Sequence, residues 1–149
     1  MPDKFKILVD RRVLRGFVRR AWKVFPKEYT ELIWGTFSDH SVIINALREV
    51  EHKATPIETT IQYDVLAEQY KDARLIGMAV LGDIHTHTDN RDVSPSEADW
   101  KDGAANKMIV LGICCLWKTG TGRRMSRTKF YPVAEYTLEV TNKEPELEK

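Results

Sequence analysis

The 149-residue chain has only two cysteines, no marked excess of either charge and no long run of apolar residues. Cys114 and Cys115 are adjacent, and neighbouring residues of a strand point to opposite faces, so the pair cannot readily form a disulfide. Two adjacent cysteines argue against a disulfide framework and predict a reducing, cytoplasmic compartment. Without an electropositive, accessible setting, both thiols are expected to be core residues rather than nucleophiles.

The charge balance and the distribution of apolar residues exclude two further classes. The formal net charge is +1, so no overall field demands a nucleic acid or a membrane surface as partner. No segment approaches the roughly 20 apolar residues that a membrane-spanning helix needs. The first residues, 1–6, show neither a long apolar run nor a cleavage signal. We therefore predict no membrane and no nucleic-acid partner.

Length and composition are those of one globular domain. Hydrophobic residues make up 42% and charged residues 30% of the chain, and 149 residues are enough to bury a core. We find no repeat or linker in the sequence. The prediction is one domain over residues 1–141, followed by a polar tail over residues 142–149 that frays.

Alternation of strand-like and helix-like patterns predicts an α/β fold, with helices flanking one curved mixed or antiparallel sheet. Asp10 and Asp64 are the expected N-caps of the first two helices, and two successive strands are expected to form a hairpin. The predicted helices are 11–25, 64–75 and 95–106, and the predicted strands are 5–9, 32–37, 42–50, 59–63, 78–84, 108–117, 126–132 and 134–140.

The most informative motif is His85-Thr86-His87, at the end of the apolar segment Val80–Ile84. On an extended chain the two histidines have the same parity, so both rings point to one side. Alone, such a pair is often only solvated or hydrogen-bonded. Together with the carboxylate of Asp99, it could form a three-ligand zinc site, whose open fourth position is typical of a catalytic rather than a structural zinc.

A helix start follows this strand. Ser94-Pro95-Ser96-Glu97 predicts Ser94 as the N-cap, Pro95 at the first helical position and Glu97 as the partner in a capping box. Ser96 and Asp99 are three residues apart and so share one face of the helix. The strand end and the helix start are therefore expected to converge. Otherwise Ser96 and Asp99 are ordinary residues of a helix surface.

These residues resemble the signature of the JAMM (MPN-type) metalloprotease family, which is His-x-His, seven residues, Ser, two residues, Asp. The chain departs from it twice. Eight residues, from Thr88 to Pro95, separate His87 from Ser96, and Thr88 stands where a proline commonly follows the second histidine. One extra loop residue has a small entropic cost, and the serine–aspartate spacing is kept.

The family also has a catalytic glutamate, often seven residues before a glycine. Glu28 and Gly35 fit that spacing, and Pro26 precedes them as in many relatives. Glu31 is the second choice. A further similarity, at 60–64 before a helix, extends the resemblance over about residues 8–137. It implies a single MPN (JAMM)-like domain with a cytidine-deaminase-like architecture.

The resemblance implies a zinc metalloprotease that hydrolyses the amide bond after the C-terminal Gly-Gly of a ubiquitin-like protein. Zn2+ would be held by His85, His87 and Asp99. Glu28 would act as general base toward the metal-activated water, and Ser96 would donate a hydrogen bond to the oxyanion. Because such tails bind as added strands, the predicted strand at 59–63 is the candidate docking edge.

Two alternatives remain open at this stage. The same zinc centre could act on another amide, for example in processing a sulfur-carrier protein or as a general peptidase. MPN domains also include scaffolds that have lost their ligands and activity, although the intact residues His85, His87 and Asp99 argue against that reading. The sequence does not indicate an oligomeric state.

Two basic clusters remain outside these assignments. One forms a basic face on the first predicted helix, and a weaker one follows a Gly-rich turn. Each could contact a nucleic acid or an acidic partner, but a solvated face is favoured because no aromatic residues interleave there. The clusters comprise Arg11, Arg12, Arg15, Arg19, Arg20 and Lys23, and then Arg123, Arg124, Arg127 and Lys129.

Overall fold

A computed structural model describes residues 6–38, 41–54, 59–88, 92–105, 108–133 and 146–148. Within these ranges the chain forms a seven-stranded sheet, a two-stranded sheet and three helices. The elements are β1 (Lys6–Asp10), α1 (Arg11–Trp22), β2 (Thr30–Ser38), β3 (Ser41–Glu49), β4 (Lys53–Ala54), β5 (Thr59–Thr60), α2 (Tyr63–Leu75), β6 (Ala79–His87), α3 (Glu97–Ala105), β7 (Val110–Lys118), β8 (Arg124–Pro132) and β9 (Glu146–Glu148).

The large sheet is mixed, with strand order β8-β7-β6-β2-β3-β1-β9. Strand β1 is parallel to both β3 and β9, and β6 is parallel to β7, whereas the other neighbouring pairs are antiparallel. Strands β2 and β3 form the predicted hairpin. The α/β prediction with a mixed sheet flanked by helices is confirmed. No helix in the described ranges is both long and apolar enough to cross a membrane.

Helix α1 covers one face of the sheet with an apolar stripe that includes the fully buried Phe17 and Ala21. Asp10 caps it as predicted, because its carboxylate accepts a hydrogen bond from the Arg12 backbone N–H at 2.7 Å. The helix ends at Trp22, three residues earlier than predicted. Residues 23–26 form turns instead, since Pro26 has no N–H and disfavours helical backbone in the residue before it.

Helix α2 lies on the opposite face. Side chains of β2 alternate between the two layers: Ile33 belongs to the core with Phe17 of α1, whereas Leu32 belongs to the core with Ala73 of α2. The prediction that Asp64 caps α2 is wrong. Gln62, with extended backbone, occupies the N-cap position without a side-chain hydrogen bond, and Asp64 lies in the first turn.

Strand β7 is buried on both faces, as its continuous apolar sequence predicts. Cys114 faces the core beneath α1, and Cys115 faces a second core that includes Val93 and Tyr131. Helix α3 adds to that second side, because the ring of Trp100 lies 6.0 Å from the ring of Tyr131 in an edge-on contact. The two cysteines are free thiols, as expected.

Two predicted segments differ in the structure. Of the predicted strand 59–63, only Thr59–Thr60 is a strand, and it pairs with Lys53–Ala54 in the separate two-stranded sheet. The strand ends early because the backbone turns into α2 at Tyr63. Strand β9 lies within the segment expected to be a polar tail and extends the sheet beside β1. The predicted strand 134–140 lies outside the described residues, and the domain boundary at 141 stays a prediction.

Candidate metal centre

Strand β6 continues to His87, three residues beyond its predicted end, so both histidines belong to the sheet. Backbone pairing fixes them on both sides: His85 lies opposite Thr30 of β2 and beside Ile113 of β7. Because Ile84 packs into the core beneath α1, alternation directs the histidines to the other face. His85 is only 8% exposed.

Residues Ser96 and Asp99 form the start of α3 through a reciprocal pair of hydrogen bonds. The Asp99 N–H donates to Ser96 Oγ at 3.0 Å, and the Ser96 N–H donates to Asp99 Oδ2 at 2.8 Å. The predicted capping box of Ser94 and Glu97 is therefore wrong, since the box lies two residues later. Ser94 instead donates its N–H to the side chain of Asp92 at 2.8 Å.

The structure brings the three predicted metal ligands together. His85 Nε2 lies 3.0 Å from Asp99 Oδ1, and His87 Nε2 lies 3.4 Å from Asp99 Oδ2. One ligand atom from each residue can be chosen so that all three lie within 4.8 Å of one another. Two imidazole nitrogens and a carboxylate oxygen are a donor set typical of a zinc site with an open position.

The Nδ1 atoms of both histidine rings already have hydrogen-bond partners. His85 Nδ1 lies 3.1 Å from Asp83 Oδ1, and His87 Nδ1 lies 3.2 Å from the Asp92 carbonyl oxygen. This fixes both rings with Nε2 toward Asp99, as outer partners of metal-binding histidines commonly do. His85 Nε2 is buried and makes no well-directed hydrogen bond within the described residues, despite its proximity to Asp99. A cation at the shared point would satisfy it.

Electrostatics at this point favour positive charge. Burial lowers the pKa of His85, but its hydrogen bond with Asp83 and the neighbouring Asp99 carboxylate outweigh that effect and raise the pKa to about 10. Burial also opposes the charge of Asp99, yet its contacts with the two histidines hold its pKa well below the usual value. These shifts both favour positive charge at the position that a cation would take.

Glu28 is 5% exposed, and it directly precedes a residue that is hydrogen-bonded to β6. The following residue, Tyr29, accepts a hydrogen bond from the Thr86 N–H at 2.9 Å and donates its own N–H to Thr86 Oγ1 at 2.8 Å. The Tyr29 ring packs against Phe17 of α1, so strand alternation continued back from β2 predicts Glu28 on the face of the histidines. Its role as a base stays a prediction.

Thr88, which departs from the family pattern, helps to fix this segment. Its hydroxyl donates a hydrogen bond to the Pro26 carbonyl at 2.7 Å. A proline at position 88 could not make that contact. The hydrogen bond joins the residue after His87 to the chain that leads into Glu28.

Glu31, the second choice for the base, lies on the opposite face. It is fully buried, and Arg20 of α1 donates to its two carboxylate oxygens at 2.6 and 2.8 Å. The Tyr29 hydroxyl donates to it as well. Both oxygens are thus engaged beneath α1. Sequence reasoning missed this pair, although Arg20 lies three residues after Phe17 and hence near the core side of the helix.

Asp83 was also missed as a site residue. Two residues before His85, it has the same parity on β6 and so falls on the same side of the sheet. A carboxylate two residues before His85, at the end of an apolar segment, was the sequence feature that could have identified it.

Ser96 is exposed and precedes the helix that carries Asp99. Its hydroxyl oxygen accepts the Asp99 N–H, which leaves its own O–H free to donate in a second direction. The predicted contribution of Ser96 to catalysis requires that donor, and remains a prediction.

Comparison with known proteins gives both a family and a fold. The family of prokaryotic homologs of the JAB domain matches residues 10–128. No curated protein matches the chain. A solution structure of a protein from Desulfitobacterium hafniense is similar, with 16% identity, a TM-score of 0.63 and 95% of each chain covered. A crystal structure of a JAB1/MPN domain protein from Archaeoglobus fulgidus is similar as well, with 20% identity, a TM-score of 0.52, and coverage of 93% of this chain and 99% of that one.

Proposed function

The chain belongs to the family of prokaryotic homologs of the JAB domain, and from this we propose that it is a zinc-dependent hydrolase of amide bonds. More narrowly, we propose that it cleaves after the C-terminal Gly-Gly of a ubiquitin-like protein. The observation that supports the metal most directly is the convergence of one ligand atom each from His85, His87 and Asp99 within 4.8 Å. The intact donor set argues against a scaffold that has lost its ligands.

His85, His87 and Asp99 would hold the metal, and Asp83 would orient the His85 ring. When bound, zinc supplies a Lewis acid and a water of lowered pKa. The chain must then supply a proton acceptor and a hydrogen-bond donor toward the substrate. Glu28 and Ser96 are the residues that we assign to these two tasks.

Glu28 would accept a proton from the attacking water and pass it to the departing amine. Its support is positional: it is buried, and the next residue, Tyr29, is hydrogen-bonded to Thr86 near the end of β6. Glu31 is a poorer base, because both of its oxygens bind Arg20 on the other side of the sheet.

Ser96 would donate its free O–H to the oxygen on which negative charge develops. Such a donor typically contributes about 3 kcal/mol to transition-state stabilisation. The hydrogen bond from the Asp99 N–H orients Ser96 Oγ, so the hydroxyl is positioned before substrate arrives.

The substrate class follows from the family resemblance, and the short sheet of β4 and β5 is the candidate site for its tail. An extended tail would add to that sheet through backbone hydrogen bonds. Glycines would matter because they lack side chains that keep the backbone away from the enzyme.

The test is cleavage of a conjugate joined through a Gly-Gly tail, assayed with the purified protein, with a chelator, and with zinc restored after chelation. We expect cleavage that the chelator abolishes and zinc restores. A matched conjugate with a bulky residue in place of the terminal glycine should resist cleavage. Equal cleavage of both conjugates would reject the Gly-Gly proposal. Cleavage that survives complete metal removal would reject the zinc proposal.

A further inference from the structure

The outer face of α1 and strand β8 enclose a groove of about 600 Å³. Its walls hold five arginines, three from α1 and two from β8, and within the described residues no lysine, aspartate or glutamate lines it. The chain has eleven arginines and a net charge of only +1, so this groove concentrates positive charge that is balanced elsewhere. The five are Arg11, Arg15, Arg19, Arg124 and Arg127.

The fold creates this concentration by joining two clusters that are more than 100 residues apart in sequence. Arg11, Arg15 and Arg19 are spaced four residues apart, so they form one row along α1 with a rise of about 6 Å per step. All three are exposed, and within the described residues none has a carboxylate partner at ion-pair distance. No carboxylate of the described residues therefore relieves the repulsion among these three arginines.

An apolar row runs parallel to the arginines. Leu14, Val18 and Trp22 are also four residues apart and line the same groove. The Trp22 ring lies 4.7 Å from the Phe25 ring. The Arg124 guanidinium lies 5.2 Å from the centre of the same Trp22 ring. The groove thus has an apolar floor beside a charged wall, both with a repeat of about 6 Å.

We propose that this groove binds an extended acidic segment of a protein partner, in which carboxylates alternate with apolar side chains. Alternate residues of an extended chain are about 6.6 Å apart, close to the spacing of both rows. Carboxylates would pair with the arginines, whose planar guanidinium groups suit two-point binding. From Arg11 to Trp22 the helix rises about 16 Å, the length of about five extended residues.

A nucleic acid fits the same groove less well. Proteins that bind single strands combine basic residues with aromatic faces on which bases stack. Trp22 is the only aromatic residue among those lining the described groove, and Phe25 and Arg124 already pack against its ring. An apolar floor favours aliphatic side chains instead.

The groove is independent of the metal centre. Helix α1 lies on one face of the sheet, and the histidines point to the other, so changes to the arginine row should leave zinc binding and folding intact. Replacing two arginines should not destabilise the protein, because it relieves repulsion between like charges.

The experiment measures fluorescence anisotropy of a labelled peptide, Gly-Glu-Leu-Glu-Leu-Glu-Gly, titrated with the full chain. One comparison replaces each Glu of the peptide by Gln, and another uses a labelled ten-nucleotide thymidine strand. The test variant is Arg15→Gln with Arg19→Gln. The control is Arg74→Gln with Arg123→Gln, which changes net charge equally at exposed residues outside the groove.

We expect the acidic peptide to bind, the test variant to weaken its binding about tenfold through loss of two partly exposed ion pairs, and the control to change it less than twofold. Zinc content and the melting temperature should match in all forms. The proposal is overturned by equal weakening in both variants or by equal binding of the Gln peptide. Failure of the acidic peptide to bind would also overturn it. So would arginine-dependent binding of the oligonucleotide without binding of the peptide.

Discussion

His85 Nε2 lies 3.0 Å from Asp99 Oδ1, although Asp99 comes fourteen positions after His85 in the chain. The contact brings the end of β6 against the first turn of α3. It forms despite the extra loop residue between His87 and Ser96, because the capping hydrogen bonds of Ser96 orient the Asp99 carboxylate at the start of the helix. The departure from the family spacing thus leaves the convergence of the ligands intact.

Removal of His87 should abolish stoichiometric zinc binding. Its ring supplies one of the three donors that we propose, and two donors are too few for a stable site. Elemental analysis of the His87→Ala protein should find far less than one zinc per chain, against about one for the unaltered protein. His52→Ala is the matched control, since that ring contacts the Val50 carbonyl oxygen instead. Full zinc content in the His87→Ala protein would show that the site is assigned wrongly.

Replacement of Asp83 by Asn should weaken zinc binding without removing a ligand. The Asp83 carboxylate fixes the His85 ring through Nδ1 at 3.1 Å, and loss of such an outer partner typically costs 10–100-fold in metal affinity. Competition with a chromogenic chelator measures this affinity. Saturating zinc should still give one ion per chain. Unchanged affinity would mean that Asp83 does not support the ligand.

Removal of Arg20 should destabilise the fold by about 3 kcal/mol, because it leaves the fully buried Glu31 carboxylate without its cation. Urea denaturation of Arg20→Ala measures the loss. Arg19→Ala, at the exposed neighbouring position, should change stability by less than about 0.5 kcal/mol. Adding Glu31→Gln to Arg20→Ala should recover part of the loss. A loss of similar size in the Arg19→Ala protein would contradict this account.

The Cys114 thiol should resist alkylation in the folded protein. Burial raises its pKa from 9.0 to about 12, and the reactive species is the thiolate. At pH 8, mass spectrometry should detect no iodoacetamide adduct on the native chain and two on the unfolded chain. Because the folded pKa is raised, the neutral thiol contributes stability below pH 9, and this contribution is lost as the pH rises toward 12. Rapid labelling of the native chain would refute the burial argument.

Much of the fold follows from periodicity. The amphipathic stripe of α1, the hairpin of β2 and β3 and the apolar run of β7 depend on local pattern, and the structure has all of them. Parallel pairing of β1 with β3 and β9 could not be predicted in this way. Such pairing joins distant segments, and no local spacing specifies which strands become neighbours.

The convergence of His85, His87 and Asp99 was predictable because the three residues form a dense motif. Details for which the sequence offers two equivalent local arrangements were not predictable. Ser94 and Ser96 each precede an acidic residue by three positions, and only the structure shows that Ser96 forms the cap. The Glu31–Arg20 pair was likewise inaccessible, since two charged residues on separate elements reveal no contact until the sheet and helix pack.

The most direct test of the proposed mechanism measures turnover of the Gly-Gly conjugate and zinc content on one preparation of the Glu28→Gln protein. Glutamine keeps the size of the side chain but cannot accept a proton at neutral pH. We predict a loss of about 10²–10⁴-fold in rate with zinc content unchanged, while Glu97→Gln on the exposed surface of α3 keeps full activity. Near-normal turnover by the Glu28→Gln protein, or loss of zinc together with activity, would contradict the assignment of Glu28 as the base.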